Sequence, residues 1–83
     1  MLYEKAGCGL CAETYRALTR LRMDVRLDIE RVDIEAERQH FDRYAIRIPV
    51  LRAGERELDA AGLDDEVLRR WLKELLADDR GQG

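Results

Sequence analysis

Serine and asparagine are both absent from this 83-residue chain, and histidine, proline, tryptophan and phenylalanine occur once each. Without serine there is no serine nucleophile and no phosphate loop ending in Lys-Ser; without asparagine there is no N-glycosylation acceptor. A single histidine excludes a histidine-rich metal site. No apolar run approaches the roughly 18 residues that mark a membrane-spanning helix. The first residues enter an apolar strand pattern at once, without the basic region, apolar stretch and cleavage site of a signal peptide. An excess of one charge is missing too: 15 basic residues face 18 acidic ones, a net of −3, with the signs interleaved. That pattern gives solubility but no basic stripe for nucleic acid. The expectation is a cytoplasmic, monomeric protein that binds neither nucleic acid nor membrane.

What is present is 46% hydrophobic and 40% charged. A chain of this size buries only about 60% of its unfolded surface, so one compact core with short connections is expected. Residues 1–77 are read as a single domain, and the polar, glycine-containing residues 78–83 as a flexible C-terminal tail.

Periodicity divides the domain. Residues 1–4 open a first strand, closed by the turn signal Ala6-Gly7. From Leu10 to Met23, Cys11, Tyr15 and Leu18 recur at helical spacing with Thr14 and Leu21 beside them, while Glu13, Arg16 and Arg20 face away. Val25, Leu27, Ile29, Val32 and Ile34 predict a second strand over residues 25–34. Helical spacing returns over residues 35–44. An apolar strand over residues 46–51 contains the only proline, Pro49, and Ala53-Gly54 turns it into a short partner over residues 55–58. Asp64 or Asp65 caps a last helix, whose stripe is Val67, Leu68, Trp71, Leu72 and Leu75. His40 is expected to be a solvated surface residue and Trp71 a core residue. The order β-α-β-α-β-β-α implies a parallel first pair of strands and an antiparallel late hairpin.

The chemistry-bearing feature is Cys8-Gly9-Leu10-Cys11, which holds both cysteines of the chain. At a strand-to-helix junction this spacing puts both sulfurs on the first helical turn. Free N–H groups and the positive end of the helix dipole favour a thiolate at Cys8, and thiols so placed have pKa values lowered from about 8.5 into a range of roughly 3.5 to 7.5. Cys11, on the apolar face, stays a buried thiol until a mixed disulfide forms on Cys8, which it then resolves. Other uses of the pair are open at this level. The cysteines could be inert core residues, or part of a zinc site to which His40 adds at most a third ligand. They could also serve a metal-delivery domain, although the chain ends in a helix and has no Met just upstream of Cys8.

Three features together, the cysteine spacing, the lone Ile48-Pro49 and the element order, resemble the thioredoxin superfamily and most nearly its small bacterial glutaredoxin-like members. The segment from Leu2 to Cys11 looks like the first strand and active-site loop of a glutaredoxin, and Tyr44 to Leu51 like the segment carrying the superfamily's cis-proline. The resemblance implies an α/β thioredoxin fold, with a mixed four-stranded sheet flanked by helices. It implies a thiol–disulfide oxidoreductase acting on protein or glutathione mixed disulfides, with no cofactor and glutathione as a possible co-substrate. In that family the Ile48–Pro49 bond would be cis and lie against the sulfurs, and the Ile48 backbone would face outward to pair with an extended substrate. Lys5 stands where glutaredoxins place a lysine that meets a glutathione carboxylate. Gly9 and Leu10 replace the proline and aromatic residue usual between the cysteines. Ala60-Ala61-Gly62-Leu63-Asp64 keeps one glycine and one acid of the glutathione-binding loop. Lys5, Gly9, Leu10, Ile48 and Pro49 are thus the candidate substrate-binding residues beside Cys8 and Cys11. The alternative within the resemblance is a metal or [2Fe–2S] module, two chains sharing a cluster through one Cys8 each and two glutathione thiols.

Overall fold

The computed structural model describes residues 1–23 and 25–82. Along the chain come β1 (Leu2–Glu4), α1 (Gly9–Leu21), β2 (Arg31–Asp33), a 3₁₀ turn (Ile34–Ala36), α2 (Arg38–Tyr44), β3 (Val50–Ala53), β4 (Arg56–Asp59) and α3 (Asp65–Gln82). The strands form one sheet in the order β2-β1-β3-β4. β1 runs parallel to β2 and antiparallel to β3, and β3 and β4 form an antiparallel hairpin. This is the mixed four-stranded α/β architecture expected of a thioredoxin fold.

Strand alternation sorts the core into two layers, because successive side chains point to opposite faces of a sheet. Leu2 of β1 and Leu51 of β3 pack with Ala17, Leu18 and Leu21 of α1 and with Leu68 and Leu72 of α3. Their neighbours Tyr3 and Val50 turn to the other face, against Ile34 and Tyr44. A sheet covered by α1 and α3 on one side and α2 on the other follows from this parity. The β3–β4 hairpin closes through Gly54 and Glu55, with Ala53 opposite Arg56. Gly54 has φ +63°, the left-handed conformation that two-residue hairpin loops require and that glycine adopts without a Cβ clash.

Several expected boundaries move. The second strand holds three residues rather than ten. β1 begins at Leu2, which aligns with Arg31 and donates to the Glu30 carbonyl at 2.8 Å, so residues 25–29 have no strand beside them. They are held by packing, Val25 within the core and Leu27 and Ile29 against it. The third strand begins at Val50 instead of residue 46, because the chain before Pro49 is folded into a turn in which Arg47 and Ile48 both donate to the Tyr44 carbonyl. Asp64 is the cap of α3, its Oδ1 accepting the Val67 N–H at 3.0 Å. Asp65 instead takes two hydrogen bonds from Arg20 of α1, both 2.9 Å. Val67, assigned to the buried stripe, is exposed: it lies one position off the face that Leu68, Leu72 and Leu75 bury. The backbone of α3 runs helical to Gln82. His40, expected in solvent, is half-buried, edge-on to Tyr3 at 5.3 Å between centroids.

The α2 face carries a titratable feature. Tyr44 is buried and stacks on Tyr3 with centroids 4.1 Å apart, and its hydroxyl donates to Glu57 Oε2 at 2.6 Å. Burial, then the bond to Glu57, push its pKa up to about 12, against about 10 in an unfolded chain. The unfolded state therefore releases this proton first as pH rises. The stabilisation is complete below pH 10 and is lost between about pH 10 and 12. Melting temperatures should fall across that window, and Tyr44→Phe should remove this part of the fall; an unchanged alkaline slope in the variant would refute the assignment.

Candidate active site

The sheet's geometry brings most of the predicted residues to one end of the molecule. β1 ends at Glu4, and Lys5, Ala6 and Gly7 lead the chain to Cys8. Gly7 has φ +78°, so the turn that delivers the cysteine uses a conformation L side chains rarely adopt. Cys8 is the cap of α1: its Sγ accepts the Cys11 N–H at 3.1 Å, and its carbonyl accepts from Ala12 at 3.1 Å. Ser, Thr, Asp and Asn usually supply this cap through oxygen; here a sulfur occupies the place, where the free N–H groups of the first turn converge. Gly9 and Leu10 follow on the exposed side, Leu10 at 48% exposure.

Cys8 and Cys11 are joined in a disulfide, their Cα atoms 5.2 Å apart. The two partners differ in access. Cys11 is 1% exposed, on the buried face of α1 with Thr14 and Leu18, while Cys8 is only partly covered. An incoming thiol or disulfide meets Cys8 and not Cys11.

The proline segment reaches the same end. Continuing the β1–β3 register past the Tyr3–Val50 pair sets Pro49 level with Glu4 and Ile48 level with Lys5. The Ile48–Pro49 bond is cis, Pro49 is fully buried, and its carbonyl accepts from Ala60 at 2.8 Å. One expectation needs correction here. The Ile48 N–H does not face outward, because it donates to the Tyr44 carbonyl at 3.0 Å; of the Ile48 backbone, only the carbonyl makes no internal backbone hydrogen bond among the described residues.

Beside Cys8 lies a groove of about 510 Å³ lined by Glu4, Lys5, Gly7, Cys8, Ala12, Arg31 and Asp33. Its floor is an ion pair that periodicity did not reveal. Glu4 is 9% exposed and receives Arg31 Nε at 2.6 Å and Nη2 at 2.9 Å, and the guanidinium lies 3.9 Å above the Tyr15 ring. The Glu4 bonds raise the Arg31 pKa further above its usual value. Partners 27 residues apart leave no local signal; what could have found them is parity, since Glu4 shares Leu2's face and the register puts Arg31 opposite Leu2. Arg31→Met should destabilise the fold by about 1–2 kcal/mol in urea titrations, since it strands a largely buried carboxylate. An unchanged midpoint would show that water replaces the guanidinium without loss.

Among the described residues no group of three or more His, Cys, Asp or Glu is placed to hold a metal ion, and no helix is long and apolar enough to cross a membrane. The arrangement is suited to thiol redox chemistry: an accessible sulfur at a helix start, a buried partner one turn on, and a cis-proline segment level with the end of β1 that leads to them.

Known proteins are consistent with that description. The chain matches the family model described as Glutaredoxin-like domain (DUF836) over residues 1–73. Among solved structures it is similar to the X-ray structure of Northeast Structural Genomics target protein XcR50 from X. campestris. The two share 34% sequence identity with a TM-score of 0.77, over 88% of this chain and 93% of that one. No curated protein matches it.

Proposed function

Since the chain belongs to the glutaredoxin-like domain family, we propose that it is a thiol–disulfide oxidoreductase with Cys8 as nucleophile and Cys11 as resolving thiol. The observation that carries this proposal is the Cys8–Cys11 disulfide across the first turn of α1, with one sulfur accessible and the other buried.

In the reducing direction the Cys8 thiolate attacks a substrate disulfide RS–SR′, forming Cys8–S–S–R and releasing R′S⁻. The Cys11 thiol loses its proton and attacks the Cys8 sulfur. The Cys8–Cys11 bond forms, the bond to R breaks and RS⁻ leaves. Two electrons pass from the dithiol to the substrate, and the two protons of the thiols end on the two leaving thiolates. The Cys11 N–H that Cys8 accepts remains in place for a thiolate, so the helix start stabilises the attacking form. Regeneration requires a thiol reductant, glutathione or a protein dithiol. Lys5, Gly9, Leu10, Ile48 and Pro49 are the residues proposed to contact the substrate around Cys8.

The test is alkylation trapping of the chain equilibrated across glutathione redox buffers. Reversible formation of the Cys8–Cys11 disulfide, with a midpoint inside the buffer range, is the expected result. If neither thiol oxidises and added metal protects both from alkylation, the metal-binding alternative replaces this function.

A further inference from the structure

Resting on that function, we infer that Arg47 is a specificity-determining positioning residue. It clamps the turn before Pro49 so that a substrate docks on the Ile48 carbonyl alone.

The clamp is built from five residues. Arg47 Nη2 donates to Asp59 Oδ1 at 2.8 Å and to Glu57 Oε1 at 3.1 Å, and its Nε donates to the same Asp59 oxygen at 3.1 Å. Glu57 also receives the Tyr44 hydroxyl at 2.6 Å and Arg43 Nη2 at 3.2 Å. Both acids belong to β4, so the two ends of the turn, Tyr44 and Arg47, are fastened to the sheet by charge-assisted bonds. Glu57 keeps its charge further into acid solution, because the Tyr44 bond, followed by the bond from Arg47 and the charge of Arg43, holds its carboxyl below its usual range. Between these fixed points the Tyr44 carbonyl accepts the Arg47 N–H at 2.8 Å and the Ile48 N–H at 3.0 Å. Ile46, at the apex, is 99% exposed.

The consequence concerns strand addition. In an antiparallel hydrogen-bonded pair, the two residues exchange both N–H···O bonds. With its N–H committed to Tyr44, Ile48 offers a substrate one bond, not two. A substrate that gains most of its affinity from backbone pairing, such as the extended peptide of a glutathione mixed disulfide, loses one hydrogen bond at this position. The exposed Ile46 side chain is unaffected. Loosening the clamp should therefore favour the extended peptide, which no merely structural role of Arg47 would do.

The experiment measures the Ile48 amide exchange rate by NMR, and kcat and KM for a glutathione mixed disulfide of a cysteine-containing peptide. The proteins are the wild type, Arg47→Ala, Arg47→Lys and Asp59→Asn. The wild-type Ile48 amide should exchange slowly. Arg47→Ala and Asp59→Asn should speed it and lower KM about fivefold with kcat unchanged, the worth of one net hydrogen bond, and Arg47→Lys should move KM back toward wild type. A wild-type Ile48 amide exchanging as fast as open-loop amides overturns the clamp. So does a freed amide with unchanged KM. A slow amide in a protein that turns over no disulfide overturns the oxidoreductase function instead, and the two failures are told apart because amide exchange is read without turnover.

Discussion

Cys8→Ser is expected to abolish disulfide reduction, while Cys11→Ser should still form a stable mixed disulfide with glutathione on Cys8. The asymmetry follows from access. Cys8 caps α1 at the surface end of the groove, whereas Cys11 is buried on the core-facing side of the helix. A serine hydroxyl at residue 8 would still cap the helix, since serine is among the preferred caps. The fold should survive and the loss should be purely chemical. In Cys11→Ser the first bond forms and the second cannot, so the adduct accumulates. Mass spectrometry of the two variants after incubation with oxidised glutathione reads both outcomes. Retained activity in Cys8→Ser, or an adduct on Cys11 in that variant, would overturn the assigned roles.

Leu68→Ala is expected to have the largest effect on stability, a loss of about 2–5 kcal/mol. Leu68 is 0% exposed and lies in the layer formed by Leu2, Leu18 and Leu51, where α1 and α3 meet the sheet. Removing its branched end leaves a cavity between three elements that cannot all close on it at once. For a domain of this size each kcal/mol moves the melting temperature by roughly 4–8 °C, so the variant should melt well below the wild type or fail to fold at body temperature. Val67→Ala, one residue away and exposed, provides the contrast: its midpoint should shift by less than about 0.5 kcal/mol. Equal losses at both positions would mean that α3 is not packed through the Leu68 face.

The two variants also mark what the chain discloses before folding. The cysteine pair could be placed at a helix start because Ala6-Gly7 closes one period and Leu10 opens another, signals all within a few residues. The hairpin was legible for the same reason, through Ala53-Gly54. What escaped depends on pairing across distance. The alternation from Val25 to Ile34 is the same whether or not a strand lies beside it, and only the start of β1 at Leu2 decides that most of it is unpaired. Glu4 reads as a polar end to an apolar strand; its burial exists only because Arg31 arrives from the next strand. The turn before Pro49 reads as strand because Ile46 and Ile48 are β-branched, yet tethering by Arg47 to two acids of β4 bends it.

The sheet's two outer strands have a further consequence. An uncovered strand edge is a template on which another copy of the same chain can add, the first step toward fibrous aggregates. β2 has only three residues, and its Arg31 and Asp33 are exposed. β4 is edged by Glu57, paired with Arg43 and Arg47, and by Asp59, paired with Arg47. Neither border offers the long, flat, uncharged row of amides that self-templating needs.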